Sequence, residues 1–249
     1  MKGKELGRRL AELDRRGAYI FARRDIEKLF PEESEKAMDK SLTRMVTDGV
    51  LQRVAKGLYI NPTAASKNRW IAEDIAKALR PACLSYVSLE SILSEYGVIS
   101  QIPVSRLTVM TTGRSGVHKT PYGTIEFTHT KRPIPELLER TMEAKGRPLR
   151  IATKRAALQD FLARLNRARL WSLDHLDAYA RNTAALTKLP EDVLRAAYTA
   201  QRTSPIALDA DVVGEVQAAS DRATRYGILS KPLDVGRAVD RSFTAAASN

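Results

Sequence analysis

The stretch DKSLTRMVTDGVLQRVAKGLYINP, Asp39 to Pro62, decides how the N-terminal part of the chain folds. It carries the end of a basic amphipathic helix, a tight turn at Asp48-Gly49, and two short apolar strands about Ala55-Lys56-Gly57. Asp-Gly and Lys-Gly steps supply the left-handed backbone that tight turns need, so the strands on either side of Gly57 are expected to pair as a hairpin.

Working back from this stretch, Ser34 can cap a helix whose inward face would be Ala37, Met38, Leu42, Met45 and Val46. Its other face carries Lys36, Lys40, Thr43, Arg44 and Thr47, at spacings of three and four that place them on one stripe. Pro31 ends a preceding helix, Arg23 to Phe30, with Ile26, Leu29 and Phe30 inward. Before that, AYIF (Ala18 to Phe21) reads as a short strand. Lys4 to Arg15 reads as an amphipathic helix on Leu6, Leu10, Ala11 and Leu13, stopped by Gly17. Helix, strand, helix, helix and hairpin together predict a winged helix-turn-helix over residues 1–62. A solvated helix face would give the same basic stripe. The hairpin behind it favours DNA: Lys36, Lys40, Thr43 and Arg44 would enter a major groove while Arg53 and Lys56 grip the flanking backbone from the wing.

Composition agrees with a polyanion partner. The chain of 249 residues has a formal net charge of +12, and residues 1–70 carry sixteen basic against ten acidic side chains, half of that excess. Such a field attracts nucleic acid without specifying a fold. With 43% hydrophobic residues and a mean hydropathy of −0.31, the chain can bury real cores and is expected to be soluble. Cys83 is the single cysteine, which excludes an internal disulfide, and its apolar surroundings ACLSYVSL predict a buried core thiol. The charged N-terminus is unlike a signal peptide and no window approaches 18 apolar residues, so a cytoplasmic protein without membrane contact is expected.

After the polar linker Asn61 to Asn68, residues 69–180 are expected to form an α+β domain with a short antiparallel sheet, and residues 181–249 a helical extension. Trp70 to Leu79 is helical, Cys83 to Val87 extended, and Ser88 caps a helix ended by Gly97. Ser88 and Ser91 lack the glycine-flanked elbow and partnered histidine of a nucleophile. Arg106 to Thr112 and Thr124 to Thr130 read as strands flanking a basic loop, GRSGVHKTPYG. Gly113 to Gly116 offers backbone N-H groups for a phosphate nest but lacks P-loop spacing, so Arg114, His118 and Lys119 stand as a second candidate nucleic-acid contact. Glu126 and His129 would face opposite sides of their strand and form no catalytic pair. Arg147 to Ala152 reads as an edge strand. The following helix would have Leu158, Phe161, Leu162 and Leu165 on one face, and helical patches continue to Phe243 before AAASN. Neither cofactor nor metal ligands nor catalytic residues are expected.

The segments SLTRMVTDGVLQRVAKGLYINP, YVSLESILSEYGVISQIP, LTVMTTGRSG, TPYGTIEFTHT and RIATKRAALQDFLARL resemble the AbiEi-type antitoxins and related regulators of type IV toxin-antitoxin (abortive phage infection) systems, over roughly Gly17 to Leu165. The resemblance implies a winged-helix repressor of its own operon joined to an antitoxin domain. Its toxin would be nucleotidyltransferase-like and countered without a stable complex. DNA contacts would fall on Lys36, Lys40, Thr43, Arg44, Arg53 and Lys56, and no short motif assigns the antitoxin residues. The competing readings are a nucleic-acid-processing enzyme (a nuclease or nucleotidyltransferase relative), a solitary regulator without a toxin, and a module binding RNA or protein.

Overall fold

The computed structural model describes residues 3–201 and 208–240, and shows a mixed α+β protein with two sheets and a run of C-terminal helices. It divides into two units, Met1–Ala157 and Leu158–Asn249.

The first unit opens with α1 (Gly3–Asp14), β1 (Ile20–Ala22), α2 (Arg23–Leu29), α3 (Glu35–Thr47), β2 (Gln52–Ala55) and β3 (Leu58–Ile60). The strands form an antiparallel sheet in the order β1-β3-β2, with Ile20 opposite Ile60 and Gln52 opposite Ile60 on the other side. Helical periodicity in three segments and alternation in the hairpin converge on one core: Leu6, Leu10, Phe21, Ile26, Phe30, Met38, Leu42, Met45, Leu51 and Tyr59. Burying a side chain of this kind stabilises by about 1.5–3 kcal/mol, so the helices are held by their shared apolar faces rather than by propensity. Gly49 and Gly57 adopt positive φ, 71° and 72°, and close the two turns.

The linker is pinned. The Asp14 carboxylate accepts from the backbone N-H groups of Ala65 (2.8 Å) and Ser66 (3.0 Å), Ala64 is buried, and the Tyr19 hydroxyl donates to Asp74 on α4 (Ile71–Leu79). The Ser66 side chain, followed by the two backbone bonds, holds the Asp14 carboxyl below its ordinary range, and burial followed by the Asp74 bond pushes the Tyr19 phenol up.

Beyond α4 lie β4 (Ser85–Val87), α5 (Leu89–Glu95), β5 (Arg106–Thr111), β6 (Gly116–Thr120), β7 (Gly123–His129), α6 (Ile134–Glu139), β8 (Thr141–Met142) and β9 (Arg150–Ala152). The expected short antiparallel sheet is instead six-stranded and mixed, in the order β6-β7-β5-β4-β9-β8, with β5 parallel to β7 and β4 parallel to β9. The GRSGVHKTPYG segment is not a loop. Residues 112–115 carry the chain from β5 past the end of β7 to the sheet edge, where β6 forms and then pairs back antiparallel with β7. Strand β6 has one face half-covered and the other exposed, a weak signal beside its glycine. The expected edge strand, now β9, lies one place inside the edge because β8 covers it. Strand β4 is buried throughout, as a central strand between two partners requires. Cys83 is half-buried rather than a core thiol.

Ser88 stands at the start of α5 but its hydroxyl does not cap the helix; Thr108 on β5 does this work. Thr108 Oγ1 accepts from the Ser91 N-H (3.1 Å) and donates to the Ser88 carbonyl (2.7 Å), while Ser91 Oγ accepts from the Thr108 N-H (2.9 Å). The Ser91 hydroxyl and the Ser88 carbonyl are therefore used in fastening α5 to the sheet.

The second unit holds the greater part of α7 (Lys154–Asp174) and then α8 (Leu176–Thr187), α9 (Glu191–Gln201), α10 (Ala210–Arg225) and α11 (Val235–Ala238). Tyr179 and Tyr198 bring α8 and α9 together with ring centroids 4.7 Å apart, and Arg195 on α9 pairs with Asp177 on α8 at 3.2 Å. Leu165, expected on an inward face, is exposed. The expected helical patch ends beyond the described residues, as do AAASN and residues 202–207. Among the described residues no helix is long and apolar enough to cross a membrane.

Candidate nucleic-acid interface

Helix α3 starts at Ser34, whose Oγ accepts from the Ala37 N-H at 3.4 Å, and it buries Met38, Ser41, Leu42 and Met45. Ala37 and Val46, expected inward, are half-buried; Ser41 is an inward residue that its polarity concealed from the sequence reading. The outward residues Lys36, Lys40, Thr43, Arg44 and Thr47 are all exposed. Their spacing brings them onto one face, with Arg53 on β2 and Lys56 in the β2-β3 turn also exposed.

The acids of α3 are Glu35 and Asp39, and both are engaged by one residue of α2. Arg23 reaches Asp39 at 2.9 Å and Glu35 at 3.7 Å, and Glu27 of its own helix at 2.7 Å. The hydrogen bond to Glu27 leads in favouring the charged guanidinium, whose pKa lies above its ordinary value. Exposed pairs of this kind add little stability. Their effect is on sign: with Glu35 and Asp39 neutralised, Lys36, Lys40 and Arg44 set the potential of the outward face. Arg23 was missed as a contributor, although its i,i+4 spacing to Glu27 was a usable signal.

Thr43 Oγ1 donates to the Asp39 carbonyl at 2.9 Å, and Thr47 Oγ1 to the Thr43 carbonyl at 3.1 Å. Each hydroxyl hydrogen is thereby occupied, so these threonines present oxygen lone pairs and a methyl group outward, which suits base amino groups and the thymine methyl. The register shift between Arg53 and Ala55 marks a bulge, which twists the strand leading to Lys56.

The second group does not come together. Arg114 and Lys119 are exposed, but His118 points to the opposite face of β6 from Lys119, with its ring edge-on to Phe127 at 5.6 Å. Burial and then the nearby Arg80 lower its pKa. Gly113 and Gly116 lack the positive φ that a nest needs. His129 is used structurally: its backbone N-H donates to Ser115 Oγ (2.9 Å), and its Nδ1 lies 2.8 Å from the Gly113 carbonyl oxygen. Glu126 pairs with Arg106 at 2.6 Å.

Among the described residues no group of His, Cys, Asp or Glu side chains has the arrangement to hold a metal ion. No protein-family profile matches the chain, and no curated protein matches it.

Proposed function

We propose that α1 to β3 is a winged helix-turn-helix that binds duplex DNA, with α3 in the major groove and the β2-β3 turn as the wing. The observation that carries the reading is the division of α3: its apolar side chains lie in the core while Lys36, Lys40, Thr43 and Arg44 are exposed, as are Arg53 and Lys56. The order helix, strand, helix, helix, hairpin and the antiparallel β1-β3-β2 sheet suit that assignment.

In this reading the protein is a repressor of its own operon and an antitoxin of the AbiEi type, acting in the cytoplasm against a nucleotidyltransferase-like toxin with which it forms no stable complex. The antitoxin role draws its support from the resemblance of the central segments. A gel shift with the DNA upstream of its own gene tests the first part: a saturable shift that resists nonspecific competitor is expected, and equal binding to arbitrary DNA or RNA would overturn repression. For the second part, co-expression with the product of an adjacent nucleotidyltransferase-like gene should restore growth. Continued growth arrest would remove the antitoxin role.

A further inference from the structure

Helix α10 carries two apolar stripes, and only one of them is used by its own chain. The first is Val213, Gln217, Ser220 and Thr224. Val213 and Ser220 are buried, and Gln217 clamps the segment leading into α11: its Nε2 donates to the Leu233 carbonyl and its Oε1 accepts from the Val235 N-H, both at 2.8 Å. The second stripe is Val212, Val216, Ala219, Ala223 and Tyr226, whose alternating spacings of four and three are the period of a coiled-coil seam. Val216 is 49% and Tyr226 75% exposed, Ala219 is exposed, and Val212 and Ala223 are half-buried. An apolar seam kept in water gains nothing for the chain that carries it.

The charges beside this seam say what covers it. Asp211, Glu215, Arg222 and Arg225 lie on the flank away from Gln217, and all four are exposed. None of them makes an ion pair among the described residues. The acids stand in the first half of the helix and the bases in the second, an order that also complements the helix dipole. Within the helix the near neighbours are alike: Asp211 and Glu215 are four apart, Arg222 and Arg225 three apart. One flank is therefore negative at one end and positive at the other, which is complementary to itself when reversed.

We propose that α10 is a self-association surface, pairing with α10 of a second copy of this chain, antiparallel and centred near Ala219. Val212 of one copy then meets Tyr226 of the other, and Val216 meets Ala223, with the alanines allowing close approach. Antiparallel pairing sets the two charged flanks against each other, so Glu215 of each copy lies opposite Arg222 of the other. A parallel pair would turn the charged flank onto the Gln217 stripe, which is already taken up by its own chain. A polyanion does not suit the surface, since the seam is apolar and its flank has as many acids as bases. The helix has 16 residues, about 24 Å, and a pair of that length covers less than the roughly 800 Å² per partner of a standard interface. The association is accordingly reversible. It is independent of the DNA-binding reading, and its test uses no DNA.

The test is sedimentation velocity of the full chain from about 1 to about 500 μM. A reversible shift from the 27.7 kDa monomer to its dimer is expected. Val216→Glu, at a position already open to solvent, should raise the dissociation constant about tenfold or more with an unchanged circular dichroism spectrum. Glu215→Arg and Arg222→Glu should each weaken self-association, and an equimolar mixture of these two variants should recover it, because each copy then meets its charge complement. A parallel pair would not be rescued by mixing. A monomer throughout the range, or a dimer that Val216→Glu leaves unchanged, would overturn the proposal. Failure of the mixture to associate would overturn the antiparallel pairing.

Discussion

Replacing Arg147 with alanine should be among the most damaging single changes in the first unit, and its effect should depend on pH. The Arg147 side chain is 5% exposed and holds two acids from different helices: Glu73 of α4, 2% exposed, through Nε at 2.9 Å and Nη2, and Glu95 of α5 through Nη1 at 2.6 Å. Its guanidinium also lies 3.9 Å from the Trp70 ring centroid. Removing one partner of a buried pair leaves the other charge uncompensated, at about 3–5 kcal/mol. For a unit of this size that is about 10 °C in Tm. Burial raises the Glu73 carboxyl above its ordinary 4.5, against the opposing pull of Arg147. A raised carboxyl binds its proton more tightly folded than unfolded. The contribution it makes to folding is thus complete below pH 4.5 and is lost as pH rises through the raised value. Without Arg147 that pKa rises further, so the deficit of Arg147→Ala should be largest near neutrality and shrink toward pH 5. Thermal or urea unfolding of wild type and variant across this range is the assay, with Glu73→Gln/Arg147→Met predicted to recover most of the loss. A small deficit, or one that does not vary with pH, would refute the buried-pair reasoning.

Three further outcomes are expected. Lys40→Ala with Arg44→Ala should abolish the gel shift while Tm stays nearly unchanged, since both side chains are exposed; a lowered Tm would show that they support the fold instead. Gly123→Ala should destabilise by more than about 1 kcal/mol, because φ there is 111° and the new Cβ would fall 2.7 Å from the Ser105 carbonyl oxygen; near-neutral unfolding free energy would contradict that strain. Ser34→Ala should cost about 0.5–1 kcal/mol of stability, given a cap bond as long as 3.4 Å, and a loss of several kcal/mol would mean the residue does more than cap.

The N-terminal elements were legible because their signals are local: apolar residues at three- and four-residue spacing, a capping serine, a proline stop and two glycine turns all lie within one element or its neighbour. The six-stranded sheet was not, because parallel pairing of β5 with β7 and of β4 with β9 joins segments that adjacent sequence does not link. Strand β6 was hidden by glycines that look like loop residues, and its His118 and Lys119 looked like a cluster until the pleat sent them to opposite faces. Arg147 with Glu73 is a long-range pairing between ordinary surface-type residues; composition records such residues but cannot say which of them become enclosed. The candidate DNA face was readable because helical geometry alone fixes it.

The most direct test of DNA binding through α3 and the wing is the salt dependence of operator affinity. With Lys36, Lys40, Arg44, Arg53 and Lys56 each neutralising a phosphate, log K against log salt should fall with a slope of about −4.5 per bound chain, a loss of about 500-fold between roughly 50 and 200 mM. Removing Lys40 and Arg44 together should abolish specific shift and flatten what residual binding remains. A slope near zero, or an unchanged slope in the double variant, would contradict the account.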